Sequence, residues 1–313
     1  VRCSWSAPGM VVVLVGWRSM RGIPDYRNPL GAVRVSNGLV RSQSEDPIGA
    51  ERCAILKPDF RTIIQWRTGR RGEIMATQGY SNPDLLVESD WLAERLDDPN
   101  IRIVDCDPRE VYRRAHIKNA VGIPVHHYIK HPEYESDARK YPLVAPPDTM
   151  KEVMESMGIG DANLVVAYDS NGSLWSSRLW WALNYYGHTE VKVLNGGWRK
   201  WFGEGRPIED GRPQISAATF TPRANEDLLC TLDYGVANVG NSDVVFLDVR
   251  SDGEWDGTNA RGNQRAGRIP GSVHLEWLNF ITDDKFQTIK PAEELRAMLQ
   301  KAGVTPEKDV VTY

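Results

Sequence analysis

Cysteine is scarce in this chain of 313 residues, and its four cysteines are far apart: Cys3, Cys53, Cys106 and Cys230. They form no CxxC pair and no cluster with histidine, which argues against a disulfide framework and the usual zinc sites. The histidines also lack metal-site spacing, so we expect no metal; the ones considered are His116, His126, His127 and His131. Such cysteine usage favours a reducing, cytoplasmic compartment.

Long hydrophobic runs and nucleotide-binding motifs are also missing. The longest apolar run, residues 10–17, is far too short to cross a bilayer. Neither GxGxxG nor GxxxxGK[ST] occurs, so nucleotide binding has no support. The net charge of −4 gives no reason to expect nucleic acid. We therefore expect a soluble globular protein with no membrane partner and no nucleic-acid partner.

Charge is distributed unevenly along the chain. Residues 1–74 contain 12 Lys+Arg and 6 Asp+Glu, whereas residues 75–313 contain 26 and 36. The basic segment has little periodicity, and three origins are possible: a transit peptide, a disordered extension, or a translated upstream region with Met75 as the true start. The last is favoured. We treat residues 1–79 as an N-terminal extension that is disordered or foreign to the native protein.

From residue 80 onward the same series of elements occurs twice. The strand IRIVDCD, residues 101–107, matches VVFLDVR, residues 244–250, at an offset of 143. The strand LVVAY, residues 164–168, matches DVVTY, residues 309–313, at an offset of 145. Two copies of this size indicate tandem domains and not a solenoid.

The order of elements predicts an α/β fold, because short apolar strands alternate with helices. Each domain should be a parallel sheet with helices on both faces. We predict a first domain at 80–210, a linker at 211–227 and a second domain at 228–313 that is truncated relative to the first. A helix over 87–96 should begin with Ser89 or Asp90 as its N-cap, and residues 173–188 should form another helix.

The residue that follows the strand LVVAY or DVVTY has a special position. A parallel strand that turns tightly into a helix directs backbone N–H groups and the helix N-terminus toward one point. This arrangement attracts anions and lowers the pKa of a cysteine placed there. The position after Tyr313 is therefore the expected nucleophile position of the second domain, and Asp169 occupies its counterpart in the first.

Several segments together resemble the two-domain rhodaneses, the thiosulfate and 3-mercaptopyruvate sulfurtransferases, over residues 80–313. They are LDVRSDGEW, GRIPGSVHLEW, VVAYDSNGSLWSSRLWW and VKVLNGGWRKW. The resemblance implies a cysteine directly after the second-domain strand. That cysteine takes sulfane sulfur from a donor as a persulfide and passes it to cyanide or a thiol. The first domain should be inert, because Asp169 cannot form a persulfide, and the 313-residue chain should itself be inactive.

The resemblance also implies substrate-binding arginines. Arg250 matches an arginine that binds the anionic donor in this family, and Arg261 and Arg265 are weaker candidates for the same role. The implied partners are a small anionic sulfur donor and a thiophilic acceptor, without a cofactor. Thiosulfate and mercaptopyruvate preference cannot be separated, because the loop that distinguishes them follows Tyr313.

Other interpretations of these residues remain open. The chain could be a non-catalytic rhodanese module that binds a partner or a small anion, or a phosphatase of related fold. Cys106 is a poor nucleophile candidate, because Asp105 and Asp107 flank it and raise its pKa. Asp105 and Asp248 should cap loops or pair with nearby arginines. The glycines of NGGW, residues 195–198, should permit a turn with positive φ.

Overall fold

The computed structural model describes residues 2–3, 79–133, 143–263 and 265–313; for Arg2, Cys3, His126 and His127 only the backbone is described. These residues belong to one compact unit. The predicted extension, residues 1–79, lies outside the described residues except for Gly79 and strand β1 (Arg2–Cys3). No described helix is long and apolar enough to cross a membrane.

Residues 80–210, here called repeat 1, form a parallel sheet of five strands. These are β2 (Leu86–Val87), β3 (Ile101–Asp105), β5 (Val121–Gly122), β6 (Leu164–Tyr168) and β7 (Val191–Leu194). Their spatial order is β2-β7-β6-β3-β5. A separate antiparallel pair consists of β4 (His116–Ile117) and β8 (Ile208–Glu209). The helices are α1 (Ser89–Ala93), α2 (Arg109–Tyr112), α3 (Val125–Tyr128), α4 (Pro147–Ser156), α5 (Ser176–Tyr185) and α6 (Gly197–Gly203), with a 3-10 helix at Pro83–Leu85.

Both faces of the repeat 1 sheet are buried under helices. Successive strand residues point to opposite faces, so Val165 and Val166 of β6 enter different cores. On one side α4 and α5 cover the sheet, and Met154 and Leu179 are fully buried there. On the other side α1 and α6 cover it with Leu92 and other buried side chains. The predicted doubly covered parallel sheet is confirmed.

Residues 228–313, here called repeat 2, form a smaller sheet with the same central arrangement. Its parallel strands are β9 (Val244–Asp248), β10 (Val273–His274) and β11 (Asp309–Thr312), and β1 pairs antiparallel with β11. The order β11-β9-β10 corresponds to β6-β3-β5, so β1 occupies the place that β7 has in repeat 1. The helices are α7 (Leu232–Asn238), α8 (Asp252–Asp256) and α9 (Ala292–Lys301), with 3-10 helices at Glu226–Leu228 and Trp277–Phe280.

Two helix boundaries differ from the sequence prediction for a tertiary reason. Helix α1 begins at Ser89 with Glu88 as N-cap, because the Ser89 hydroxyl donates to Glu204 instead of capping the helix. Helix α5 begins at Ser176 and not at 173, because the preceding loop folds around Asp169. The turn predicted at NGGW is confirmed: φ is 77° at Gly196 and 48° at Gly197.

Candidate active site

The candidate site of repeat 2 lies where β9 and β11 end side by side. Strand β9 ends at Asp248, and the next residue, Val249, donates its N–H to the Tyr313 carbonyl at 3.1 Å. Open α/β sheets place their ligands at this carboxyl edge of the strands. Tyr313, the last described residue, therefore lies beside the loop that contains Arg250.

Arg250 is held in one orientation by two partners. Its Nε and Nη2 donate to the two Asp248 oxygens at 2.9 and 2.5 Å, and Nη2 also donates to the Gly267 carbonyl at 2.9 Å. The hydrogen bonds to Asp248 raise the pKa of Arg250, so the cation is retained. Its Nη1 has no hydrogen-bond partner among the described residues. The Nη1 edge of this oriented guanidinium can therefore donate to an anion.

The Arg250 guanidinium also lies against the last residue of the chain. Its Cζ is 5.1 Å from the centroid of the Tyr313 ring, a cation–π distance. The Arg250 carbonyl is 2.9 Å from His274 Nε2, which must donate because a carbonyl only accepts. Backbone and side chain of Arg250 are therefore both fixed next to Tyr313. His274 was missed from the sequence, where its only signal is a polar residue inside the apolar stretch of β10.

Tyr168 and Tyr313 occupy corresponding points of the two sheets. Tyr168 is the last residue of β6, and Tyr313 directly follows β11. Each hydroxyl accepts a backbone N–H from the segment that precedes the edge strand: from Ile117 at 3.0 Å and from Ile269 at 3.1 Å. The Tyr168 hydroxyl then donates to Asp105 at 2.7 Å, whereas the Tyr313 hydroxyl donates to Ser272 at 3.0 Å. The duplication inferred from the sequence is present in three dimensions.

In repeat 1 the carboxylate of Asp169 occupies the loop that follows β6. It accepts backbone N–H groups from Asn171, Ser173, Trp175 and Ser176 at 2.7–3.0 Å, and the Ser176 hydroxyl at 2.9 Å. Asp169 is only 2% exposed. The loop therefore has the converging N–H donors that were predicted for an anionic nucleophile, and the Asp169 carboxylate accepts hydrogen bonds from them.

The Asp169 loop is completed by the turn after β7. Trp198 donates its N–H to the Asp169 carbonyl at 2.9 Å. A Cβ built on Gly197 would lie 2.1 Å from that same oxygen, so only glycine allows the approach. The opposite side of the loop faces repeat 2, since a Cβ on Gly172 would meet Ile281 at 2.7 Å.

Two further carboxyl groups of repeat 1 are buried beside Asp169. Burial raises the pKa of Asp105 to about 6, opposed by hydrogen bonds from Tyr168 and the Asp107 N–H. Burial, with the charges of Asp105 and Asp169, raises the pKa of Asp107 to about 7. Cys106 lies between them, and burial followed by these three carboxylates raises its pKa well above the usual thiol value. Cys106 is therefore no nucleophile at neutral pH.

The aspartates at the strand ends behave as expected from the sequence. Asp105 accepts the Asp107 N–H at 2.9 Å, and Asp248 accepts the Arg250 N–H at 3.0 Å in addition to its ion pair. Arg261 lies in the same region of repeat 2, but its Nε pairs with the buried Glu254 at 3.5 Å. Arg265 is exposed. The described residues contain no group of three or more potential metal ligands.

The family model described as a rhodanese-like domain matches residues 88–204 and 231–313. Among curated proteins, the chain is 30% identical over 247 residues to the sulfur carrier protein TtuD of Thermus thermophilus, covering 75% of this chain and 84% of that protein. It is 31% identical over 244 residues to thiosulfate sulfurtransferase of Bos taurus, covering 72% and 80%.

Among solved structures, the 3-mercaptopyruvate sulfurtransferase SseA of Escherichia coli matches with a TM-score of 0.64 at 23% identity. The match covers 73% of this chain and 87% of that one. At this identity the likeness concerns the fold. The two matched regions agree with the two repeats, and the family resemblance inferred from the sequence is confirmed.

Proposed function

The chain belongs to the rhodanese family, and from this premise we propose that repeat 2 forms the sulfur-transfer site of a sulfurtransferase. The observation that carries the proposal is Arg250, whose guanidinium is clamped by Asp248 with Nη1 left for a ligand. A donor bound there, thiosulfate or 3-mercaptopyruvate, would present its anionic group to Arg250. Its transferable sulfur would then lie near the position after Tyr313. Arg261 is a candidate for a second anion contact at the same edge.

The proposed reaction is a double displacement through a cysteine at that position. The cysteine thiolate attacks the outer sulfur of thiosulfate; an S–S bond forms on the enzyme while the S–S bond of thiosulfate breaks and sulfite leaves. With 3-mercaptopyruvate the C–S bond breaks, and the carbon fragment leaves as an enolate that a proton converts to pyruvate. An acceptor such as cyanide or a thiolate then takes the outer sulfur and releases the thiolate. No step needs a cofactor.

Repeat 1 is proposed to take no part in the chemistry. Asp169 occupies its nucleophile position and all the donors of the loop, so neither a thiolate nor a donor anion can bind there. A reducing, cytoplasmic location is consistent with Cys106 and Cys230, which form no disulfide.

The test compares the 313-residue chain with a chain that continues past Tyr313 in the native coding sequence. Each is mixed with thiosulfate and cyanide, or with 3-mercaptopyruvate and a thiol, and thiocyanate or pyruvate is measured. Intact mass after donor treatment reports one added sulfur atom. We expect product and added sulfur only from the longer chain. A longer chain that has the cysteine but acquires no sulfur from any donor would disprove the enzyme.

A second candidate function is a non-catalytic rhodanese module. Repeat 1 supports it, because a rhodanese-like domain of this same chain has an aspartate at the nucleophile position and remains fully packed. An aspartate, serine or glycine directly after Tyr313 would favour the module. A cysteine there would favour the enzyme.

A further inference from the structure

A cavity of about 310 Å³ lies between the two repeats. Repeat 1 lines it with Leu86 of β2, Val193 of β7 and Gly172 of the Asp169 loop. Repeat 2 lines it mainly with helix α9 and the turn that follows this helix. Ligand sites often have this size and often lie where two domains meet. The described residues that line the cavity include none of those proposed for sulfur transfer.

The walls of the cavity are mostly apolar. Leu86, Ile289 and Leu295 line it and are only partly buried, so each still has apolar surface that a ligand could cover. Phe280 and Leu299, which also line it, are buried. An apolar cavity of about 150 Å³ is already large enough to bind benzene. The volume and the walls therefore suit an aromatic ring with a short side chain.

Arg296 of α9 has the only charged side chain among the described residues that line the cavity. It is exposed, whereas Leu299, one turn further along the helix, is buried. The guanidinium therefore lies toward the solvent-accessible end of the cavity. Its Nη2 donates to the Gly79 carbonyl, and no carboxylate of the described residues lies within 4.0 Å of it. A cation at the end of an apolar cavity, with no acidic group beside it, is complementary to an anion that has an apolar body.

We propose that this cavity binds a small aromatic carboxylate. The ring would pack against Leu86 and Leu295, and the carboxylate would form an ion pair with the Arg296 guanidinium. The ligand would touch the Asp169 loop of repeat 1 and α9 of repeat 2, so its binding would also stabilise the contact between the repeats. This role goes beyond sulfur transfer and does not depend on it.

The test titrates the ¹⁵N-labelled chain with three probes at pH 7. 3-Phenylpropionate has the ring and the carboxylate, 3-phenylpropanamide has the ring without the charge, and propionate has the carboxylate without the ring. We expect saturable amide shifts at Gly172 and Ala292. 3-Phenylpropionate should bind about three- to tenfold more tightly than the amide, the effect of one exposed ion pair, and propionate should give no saturable shift. The proposal is overturned if 3-phenylpropionate gives no saturable shift, or if either partial probe binds equally well.

One variant tests the charged end of the cavity. Arg296→Gln should lower the affinity for 3-phenylpropionate to that for 3-phenylpropanamide, and it should leave the affinity for the amide unchanged. Lys301→Gln is the matched control, because it removes an exposed charge from the same helix outside the cavity. An equal loss of affinity in Lys301→Gln would indicate nonspecific charge attraction and contradict the site.

A second variant tests the apolar end. Leu295→Trp should fill the cavity and abolish the shifts with both aromatic probes. Leu232→Trp makes the same change at an exposed leucine of α7 outside the cavity and should bind both probes normally. Binding at full affinity by a folded Leu295→Trp chain would show that the probes bind elsewhere. Because Arg296 is exposed, Arg296→Gln should fold and decide the test even if Leu295→Trp does not fold.

Discussion

The two repeats place the same strand and tyrosine at the same sheet edge, and then differ in charge. In repeat 1 the edge contains the buried carboxyl groups of Asp105, Asp107 and Asp169. In repeat 2 the residue two positions after the strand-ending aspartate is Arg250, where repeat 1 has Asp107. The fold thus determines where a ligand meets the sheet, and the charge of a few residues determines which ligand can bind.

One exchanged residue also changes the bonds of its neighbours. Asp105 accepts the Tyr168 hydroxyl, since no arginine competes for it. Asp248 instead pairs with Arg250, and Tyr313 turns its hydroxyl to Ser272. The same framework therefore gives an acidic edge in one repeat and an oriented cation in the other. Four changes to these residues and their supporting helices would test the comparison.

The largest effect is expected for Asp169→Ala. The variant removes a buried acceptor that satisfies five donors, so the free energy of unfolding should fall by at least about 3 kcal/mol. Urea unfolding at pH 7 measures the loss. Asp169→Asn, which keeps the size and one acceptor oxygen, should lose less. Added formate should restore part of the stability of the alanine variant and not of the parent chain; equal stability of all three proteins would contradict the donor ring.

Leu92→Ala and Val236→Ala compare the helices that precede the strands at the start of each repeat. Leu92 of α1 is fully buried, whereas Val236 of α7 is 67% exposed. Loss of the buried side chain should cost roughly 2–5 kcal/mol, and loss of the exposed one less than about 0.5 kcal/mol. Chemical unfolding of both variants is the measurement. A large cost at Val236 would mean that α7 is covered in solution.

Arg250→Gln should lower kcat/KM about a hundredfold in a chain that continues past Tyr313 with a cysteine, because a donor anion would lose its charged contact. Arg250→Lys keeps the charge but cannot bond to Asp248 with two nitrogens. Its kcat/KM should therefore lie between that of the unchanged chain and that of Arg250→Gln. Arg268→Gln is the matched control, since Arg268 stacks on Trp255 and donates to the Trp255 carbonyl instead of to Asp248. If Arg250→Gln and Arg268→Gln are equally active, Arg250 does not bind the donor.

The smallest of the four effects is expected for Asp107→Asn and depends on pH. Burial raises the folded-state pKa of Asp107 to about 7, so the unfolded chain loses this proton first as pH rises from about 4. The folded state is therefore penalised increasingly up to pH 7 and constantly above it. The free energy of unfolding gained through Asp107→Asn should therefore be larger at pH 8 than at pH 5, by on the order of 1–3 kcal/mol.

Thermal and urea unfolding at both pH values measure this difference. Asp161→Asn is a suitable control, because hydrogen bonds from Thr221 lower the pKa of that aspartate. Asp161 is then ionised in both the folded and the unfolded chain at pH 5 and at pH 8, so the effect of Asp161→Asn should be the same at the two pH values. A variant of Asp107 that gains the same stability at pH 5 and pH 8 would show that its carboxyl group is not the source.

Much of the repeat 1 architecture could be predicted from local patterns. Short apolar strands, helices at regular intervals and the matched offsets of 143 and 145 residues specify the duplication. The glycines after β7 also signalled their turn, because positive φ is a local property of the residue. Helix starts were less predictable: Ser89 has the chemistry of an N-cap, yet its hydroxyl bonds to Glu204, 115 positions away in the chain.

The sequence by itself determined the tandem α/β fold, the family, and the places of Asp169 directly after β6 and of Arg250 two residues after β9. Only the tertiary structure decided that Asp169 accepts from its own ring of donors, that Arg250 is held between Asp248 and Gly267, and that Asp107 is buried with one carboxyl oxygen unbonded among the described residues. The physical reason is range. Strand periodicity and turn preference depend on neighbouring residues, whereas the partner of a buried charge depends on which distant groups the fold brings within hydrogen-bond distance.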